Sequence, residues 1–182
     1  MKKLMLVLVL LLGVSTAAVA QDVSNVDIFA GYSFIHCGKN GDLKCNLHGW
    51  TATFDFNLNN NWAVTADLGG HYDFADNYDE GETRLKYYNY LVGPKYTIGD
   101  SETVRPYIHA LYGFNHFMPF MPDYAKKVNF VQAYGGGVDV KVNDKIWVRP
   151  VQLEWFGIRN LDKVAGANVR FSAGVVLRIG QK

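Results

Sequence analysis

Between residues 26 and 179 the chain repeats one pattern, an apolar side chain at every second position, interrupted at intervals by polar turn residues. A period of two belongs to strands, because successive side chains there point to opposite faces. The pattern divides into eight segments, 26–36, 47–57, 62–72, 85–97, 105–116, 128–142, 146–156 and 168–179. Most are close to the roughly 9–11 residues that a tilted strand uses to cross a bilayer. The connections alternate in length. Short turns follow the second, fourth and sixth segments, at 58–61, 98–104 and 143–145. Longer polar stretches follow the others: CGKNGDLKCN, DFADNYDEGETR, FMPFMPDYAKK and GIRNLDKVAGA. Short turns at one end and long loops at the other predict an all-β fold, an eight-stranded antiparallel up-and-down transmembrane β-barrel.

The first residues, MKKLMLVLVLLLGVSTAAVA, have the parts of an export signal. Lys2 and Lys3 precede an apolar run, and Ala18-Val19-Ala20 has the spacing of a cleavage site. The run is too short for a spanning helix. The expected organisation is a signal peptide over 1–20 and a barrel domain over 21–182. Of the 18 basic residues, Lys2 and Lys3 go with the signal, leaving 16 against 17 acidic ones. So even a balance offers no surface for nucleic acid.

Alternation alone does not say which face is outside, since a soluble lipocalin-like barrel has the opposite polarity. The composition of the two faces decides. One carries Asp27, Phe29, Gly31 and Ser33, then Gly49, Thr51, Thr53 and Asp55, then Thr65, Asp67, Gly69 and His71. It continues with Asn89, Gly93 and Lys95, with Tyr107, His109, Gly113 and Asn115, with Gly135, Gly137 and Asp139, and with Arg170, Ser172, Gly174 and Arg178. A water-facing surface would carry more lysine and glutamate, whereas glycines among a few charges suit a narrow interior. The other face reads Ile28, Ala30, Tyr32, Phe34, or Trp50, Ala52, Phe54, Phe56, and has no charge. It is expected to meet lipid. Trp62, Tyr96 and Trp147 would form an aromatic belt near the short turns, with Tyr32, Phe34, Trp50, Tyr72 and Trp155 near the loops.

The runs GGGVDVKVNDKIWVRPVQLEW, NVRFSAGVVLRIG, VDIFAGYSF and WAVTADLGGHYDF resemble OmpA-like eight-stranded outer-membrane barrels, closest to stand-alone domains of acidobacterial type. The resemblance implies an integral outer-membrane protein of a didermal bacterium. Its expected partners are outer-membrane lipids, lipopolysaccharide among them, and the barrel assembly machinery. It also implies no periplasmic peptidoglycan-binding domain. The chain departs from the family at its end: such barrels usually close on an aromatic residue, and here Ile179 stands in that place.

The candidate site is the lumen, with Asp55, Asp67, Lys95, His109, Asp139, Gln152, Glu154, Arg170 and Arg178. Arg149 joins them only if Pro150 marks a bulge that shifts the register. Charges in so narrow a space should pair across it, giving a salt-bridged plug. The alternative is a narrow pore tuned by the same groups. Cys37 and Cys45 in the first loop are expected to form a disulfide in an oxidising compartment. With His36 and His48 they would otherwise be a metal site, but the spacing fits none of the usual ones, and neither metal nor cofactor is expected. Phe117, Met118, Phe120 and Met121, with Lys126 and Lys127, form a loop patch that either contacts a partner or rests on the outer leaflet. The acidic second loop lacks calcium-loop spacing. A lipid-modifying enzyme would need serine and histidine together on the lipid face; His36 there has no serine at a strand spacing, so no enzyme activity is expected.

Overall fold

The computed structural model describes residues 24–37, 46–73, 86–118, 127–160 and 163–180. These form eight strands: β1 (Val26–His36), β2 (Asn46–Asn57), β3 (Trp62–Asp73), β4 (Lys86–Thr97), β5 (Val104–Met118), β6 (Lys127–Lys141), β7 (Ile146–Asn160) and β8 (Lys163–Ile179). Each strand pairs antiparallel with the next, and β1 pairs with β8, so the sheet closes on itself. Closure leaves no strand edge unpaired. The expected signal segment, 1–20, lies outside the described residues.

The three short turns share a device. Asn59 Oδ1 accepts from the backbone N–H of Asn61 and Trp62 at 2.9 and 2.8 Å. Asn143 Oδ1 does the same for Lys145 and Ile146 at 3.0 and 2.8 Å. Ser101 Oγ takes the N–H groups of Thr103 and Val104 at 3.3 Å. Side-chain acceptors thus satisfy donors that the ladder leaves over. Gly99, at φ +77°, supplies the left-handed residue at the start of the second turn.

At the other end, all four connections contain residues outside the described set, and the fourth, which lacks only 161–162, differs from expectation. GIRNLDKVAGA is mostly strand: β7 runs to Asn160 and β8 starts at Lys163, paired with it. Its glycine and charges read as loop, yet hydrogen bonding to a neighbouring strand costs such residues little at a sheet's end. Likewise Phe117 and Met118 close β5 and Lys127 opens β6, while Phe120, Met121 and Lys126 lie outside the described residues.

Inward and outward faces follow the predicted parity on seven strands, and β7 breaks it. Val148 to Val151, three steps, stands opposite Val140 to Val138, two steps, and the register against β8 shifts between Arg149 and Gln152. The extra residue is at Pro150, which has no N–H to give to the ladder. Below the bulge the faces exchange. Arg149 turns inward, and Trp147, expected in the lipid-facing belt, is buried inside at 2 % exposure while Val148 faces out. Tyr32, Trp50 and Trp62 do face outward.

The inward glycines bend the sheet as well as leaving room. A Cβ on Gly113 would stand 1.9 Å from the Tyr90 carbonyl oxygen, and one on Gly31 would stand 2.2 Å from that of Ala173. Strand backbones fold that tightly only without a side chain, which is how a narrow barrel obtains its curvature. Gly70, on the outward face, lies under the Trp50 indole, 2.7 Å from where its Cβ would be.

The exchange of faces is measurable. In single-tryptophan variants refolded into bilayers of brominated lipid, Trp50 and Trp62 fluorescence should be strongly quenched and Trp147 fluorescence spared. Equal quenching of Trp147 would place it outside and remove the bulge.

Candidate functional site

The inward face gathers the chain's charged groups into two clusters. Asp55 on β2, Lys95 on β4, Asp139 on β6 and Arg149 on β7 make the first. Lys95 Nζ donates to Asp55 Oδ2 at 2.7 Å and stands 3.6 Å from Asp139 Oδ2. Arg149 donates from Nε and Nη2 to the two Asp139 oxygens, at 2.7 and 3.1 Å. The Thr65 hydroxyl adds a bond to Asp55 at 2.6 Å. The Tyr107 ring lies under both cations, 4.1 Å from Lys95 and 4.6 Å from Arg149, a contact that favours them further where water is excluded. Two carboxylates meet two cations.

The second cluster is built on Arg170 of β8. Nη1 and Nη2 donate to the two Asp67 oxygens at 3.0 Å each, while Nε and Nη2 donate to the Glu154 oxygens at 2.6 and 2.8 Å. One guanidinium therefore grips two carboxylates, each by both oxygens, as its planar fork allows and an ammonium would not. His109 Nε2 is 2.9 Å from Glu154 Oε1, and Thr51 donates to Asp67 at 3.2 Å.

Gln152 joins the clusters. Its Oε1 accepts from Arg149 Nη1 at 2.8 Å and from the Tyr107 hydroxyl at 2.6 Å, and its Nε2 donates to Glu154 Oε2 at 2.9 Å. Two donors on one side and an acceptor on the other fix the amide's orientation. The lattice runs unbroken from β2 to β8, and its members are buried. Arg178 stands apart, at the short-turn end. It lies 3.8 Å over the Trp147 ring with Nε 3.6 Å from Asp27 Oδ1.

All nine residues expected inside are inside, and Arg149 makes the tenth, admitted by the Pro150 bulge. Three features escaped the sequence reading. One is the role of Tyr107, placed on the inward face by its parity but not counted among the lumen groups, whose hydroxyl and ring both serve the lattice. Another is a polar group in which the Ser33 hydroxyl meets His71 Nε2 at 2.8 Å and accepts from Ser172 at 3.1 Å, while Asn89 Nδ2 lies 3.3 Å from His71 Nδ1. Serine beside histidine resembles a nucleophile and its base, but among the described residues no carboxylate contacts His71 to orient it; Asn89 takes that place. The group is buried within the barrel wall.

The third feature is an apolar cluster in the half of the lumen away from the short turns, including Ile35, Leu91, Leu111, Val131 and Phe156. Extending the inward parity from Ser33, Asn89 and His109 reaches Ile35, Leu91 and Leu111 directly, so the signal was available. Outside the spanning strands, the Lys141 ammonium 2.8 Å from Asp144 holds that exposed carboxyl below its usual pKa. Cys37, just after β1, is disulfide-bonded, and Cys45 lies outside the described residues.

A sequence model for the outer membrane protein beta-barrel domain matches residues 5–178. The chain belongs to this outer-membrane barrel family. An outer-membrane location follows from that membership. Among solved structures, Neisserial surface protein A matches at a TM-score of 0.68 and 14 % identity, covering 86 % of this chain and 98 % of that one. Ail, the attachment invasion locus protein of Yersinia pestis, matches at 0.54 and 21 %, covering 85 % and 99 %. The N-terminal barrel of Pseudomonas aeruginosa OprF matches at 0.55 and 14 %, covering 85 % and 97 %. No curated protein sequence matches significantly. At these identities the neighbours share the fold with this outer-membrane barrel.

The lattice should be brittle to single deletions. Arg170→Ala leaves Asp67 and Glu154 facing each other and should cost about 3–5 kcal/mol in urea unfolding of the refolded barrel. Combining Arg170→Met with Asp67→Asn and Glu154→Gln, which removes the charges together, should recover most of that loss. No change in the single variant would mean the charges are not paired in the bilayer.

Proposed function

We propose that this protein is a closed outer-membrane barrel whose role is structural or interactive, in envelope integrity, adhesion or ligand contact through the connections opposite the short turns. The observation that carries this reading is the pairing inside. Each lumen carboxylate among the described residues, Asp27, Asp55, Asp67, Asp139 and Glu154, stands within ion-pair distance of an arginine or lysine. An eight-stranded barrel has little free lumen, and a lattice with its charges already matched offers a passing ion no partner. Surface contact is the kind of role named for one neighbour, Ail, an attachment protein also solved with the heparin analogue sucrose octasulfate. For this chain, the contact residues would come from the connections that include Phe120, Met121 and Lys126, together with lipopolysaccharide at the outer leaflet. The assembly machinery is its proposed partner during insertion.

A narrow pore is the second reading, and Lys95 favours it. Placed 2.7 Å from Asp55 and 3.6 Å from Asp139, it has two acceptors within reach and could pass from one to the other without becoming unpaired. Planar-bilayer recording of the refolded protein separates the two, with heat-shifted gel mobility as the check on refolding. Silence is expected; discrete steps whose size changes in Lys95→Met would establish the pore.

A further inference from the structure

The lumen has two layers of different chemistry, and only one of them is suited to exclude water. Transmembrane barrels generally have polar interiors. Here the half away from the short turns is filled by one contiguous cluster of buried apolar side chains, among them Ile35, Leu47, Leu91, Leu111, Val131 and Phe156. Ile35 and Leu47 come from β1 and β2, and Leu91, Leu111, Val131 and Phe156 come from β4 to β7. In a closed ring of eight strands, β1 stands opposite β5, so a cluster joining these walls crosses the whole section. Among the described side chains, β3 and β8 add no residue to it. Their side is filled by His71 and Ser172, hydrogen-bonded to Asn89 and Ser33 and fully buried.

We infer that this apolar septum, and not the ion-paired lattice beside it, is the barrier that closes the barrel to water and ions. The inference rests on the reading of the wild-type barrel as closed. A water molecule held inside a protein needs about two to four polar partners, and among the described septum side chains the Tyr87 hydroxyl is the single polar group, fewer than a water needs. An ion entering it would shed its hydration with nothing to replace it, the principle of a hydrophobic constriction. The lattice is different in kind. Asp55, Lys95, Asp139 and Arg149 each present hydrogen-bonding groups on which water can settle once a partner moves. Its pairing holds the walls together. Its loosening would wet the lower lumen and leave the upper half dry.

The inference separates two sets of variants in planar bilayers, each confirmed as refolded by heat-shifted mobility. Leu91→Asn with Leu111→Asn keeps the branched shape and the number of heavy atoms and makes the layer wettable. Leu111→Ala with Phe156→Ala opens it without adding a polar group, and serves if the first pair does not refold. Either pair should turn a silent protein into one with discrete conductance steps. Asp139→Asn with Arg149→Met, which neutralises a lattice pair and leaves the septum whole, should stay silent. Refolded septum variants without steps would overturn the inference, as would steps from the lattice variant. Steps from the wild type would instead refute the closed-barrel reading, and the septum with it.

Discussion

A guanidinium carried out of water must be met on every side, and in this barrel Arg170 is met by both oxygens of Asp67 and both of Glu154. The desolvation cost of an ion is several kcal/mol even after relaxation, so each of these charges is tolerable only because the others are in place. Asp67 comes from β3 and Glu154 from β7, 103 and 16 residues away from Arg170 in sequence. The interaction therefore requires the ring to be closed and in register. Gln152 and Tyr107 extend the requirement to Arg149, and through it to Asp139, Asp55 and Lys95. A slip of one residue in any contributing strand would send its charge outward into lipid.

Two backbone devices make that register possible. Inward glycines allow neighbouring strands to approach until a Cβ would strike a carbonyl, as at Gly113 and Gly31, which bends the sheet to a small radius. The extra residue at Pro150 then re-aims the lower part of β7. Without it, Arg149 would face lipid and Asp139 would lose its bidentate partner. The same shift brings Trp147 inside, where its ring supports Arg178. A single residue without an N–H thus places one charge and its neighbour's platform together.

The interior is divided in its chemistry. Ion pairs, with Phe29, Trp147 and Val176 packed beside them, occupy the part nearer the short turns; apolar side chains fill most of the other part, with the His71, Ser33, Ser172 and Asn89 group along its β3–β8 side. Stability and impermeability need not come from the same groups. Charges confer specificity of register, because mispairing them is costly. An apolar layer is indifferent to register, but it denies water a foothold. A barrel built this way is suited to holding surface connections on a rigid frame.

The order of the strands, their antiparallel pairing and the identity of nearly all lumen residues were legible in the alternation, because a period of two assigns each side chain to a face without reference to any other strand. Glycine frequency on the polar face told which side was inside. That reasoning is local, and it failed where the structure is not. Trp147 was placed in the belt because parity was carried straight through Pro150, and whether a proline bulges the strand depends on how both neighbours pair. The 157–167 stretch read as loop because its residues are turn formers, while β7 and β8 extend through much of it by pairing with each other. Which cation meets which carboxylate, that Gln152 links the two clusters, and that Ile35 and Leu111 pack in one layer across the lumen were decided only by tertiary structure. Sequence assigns a residue to a face; only the closed, staggered ring assigns it a height on that face, and electrostatic and apolar contacts inside a barrel depend on height.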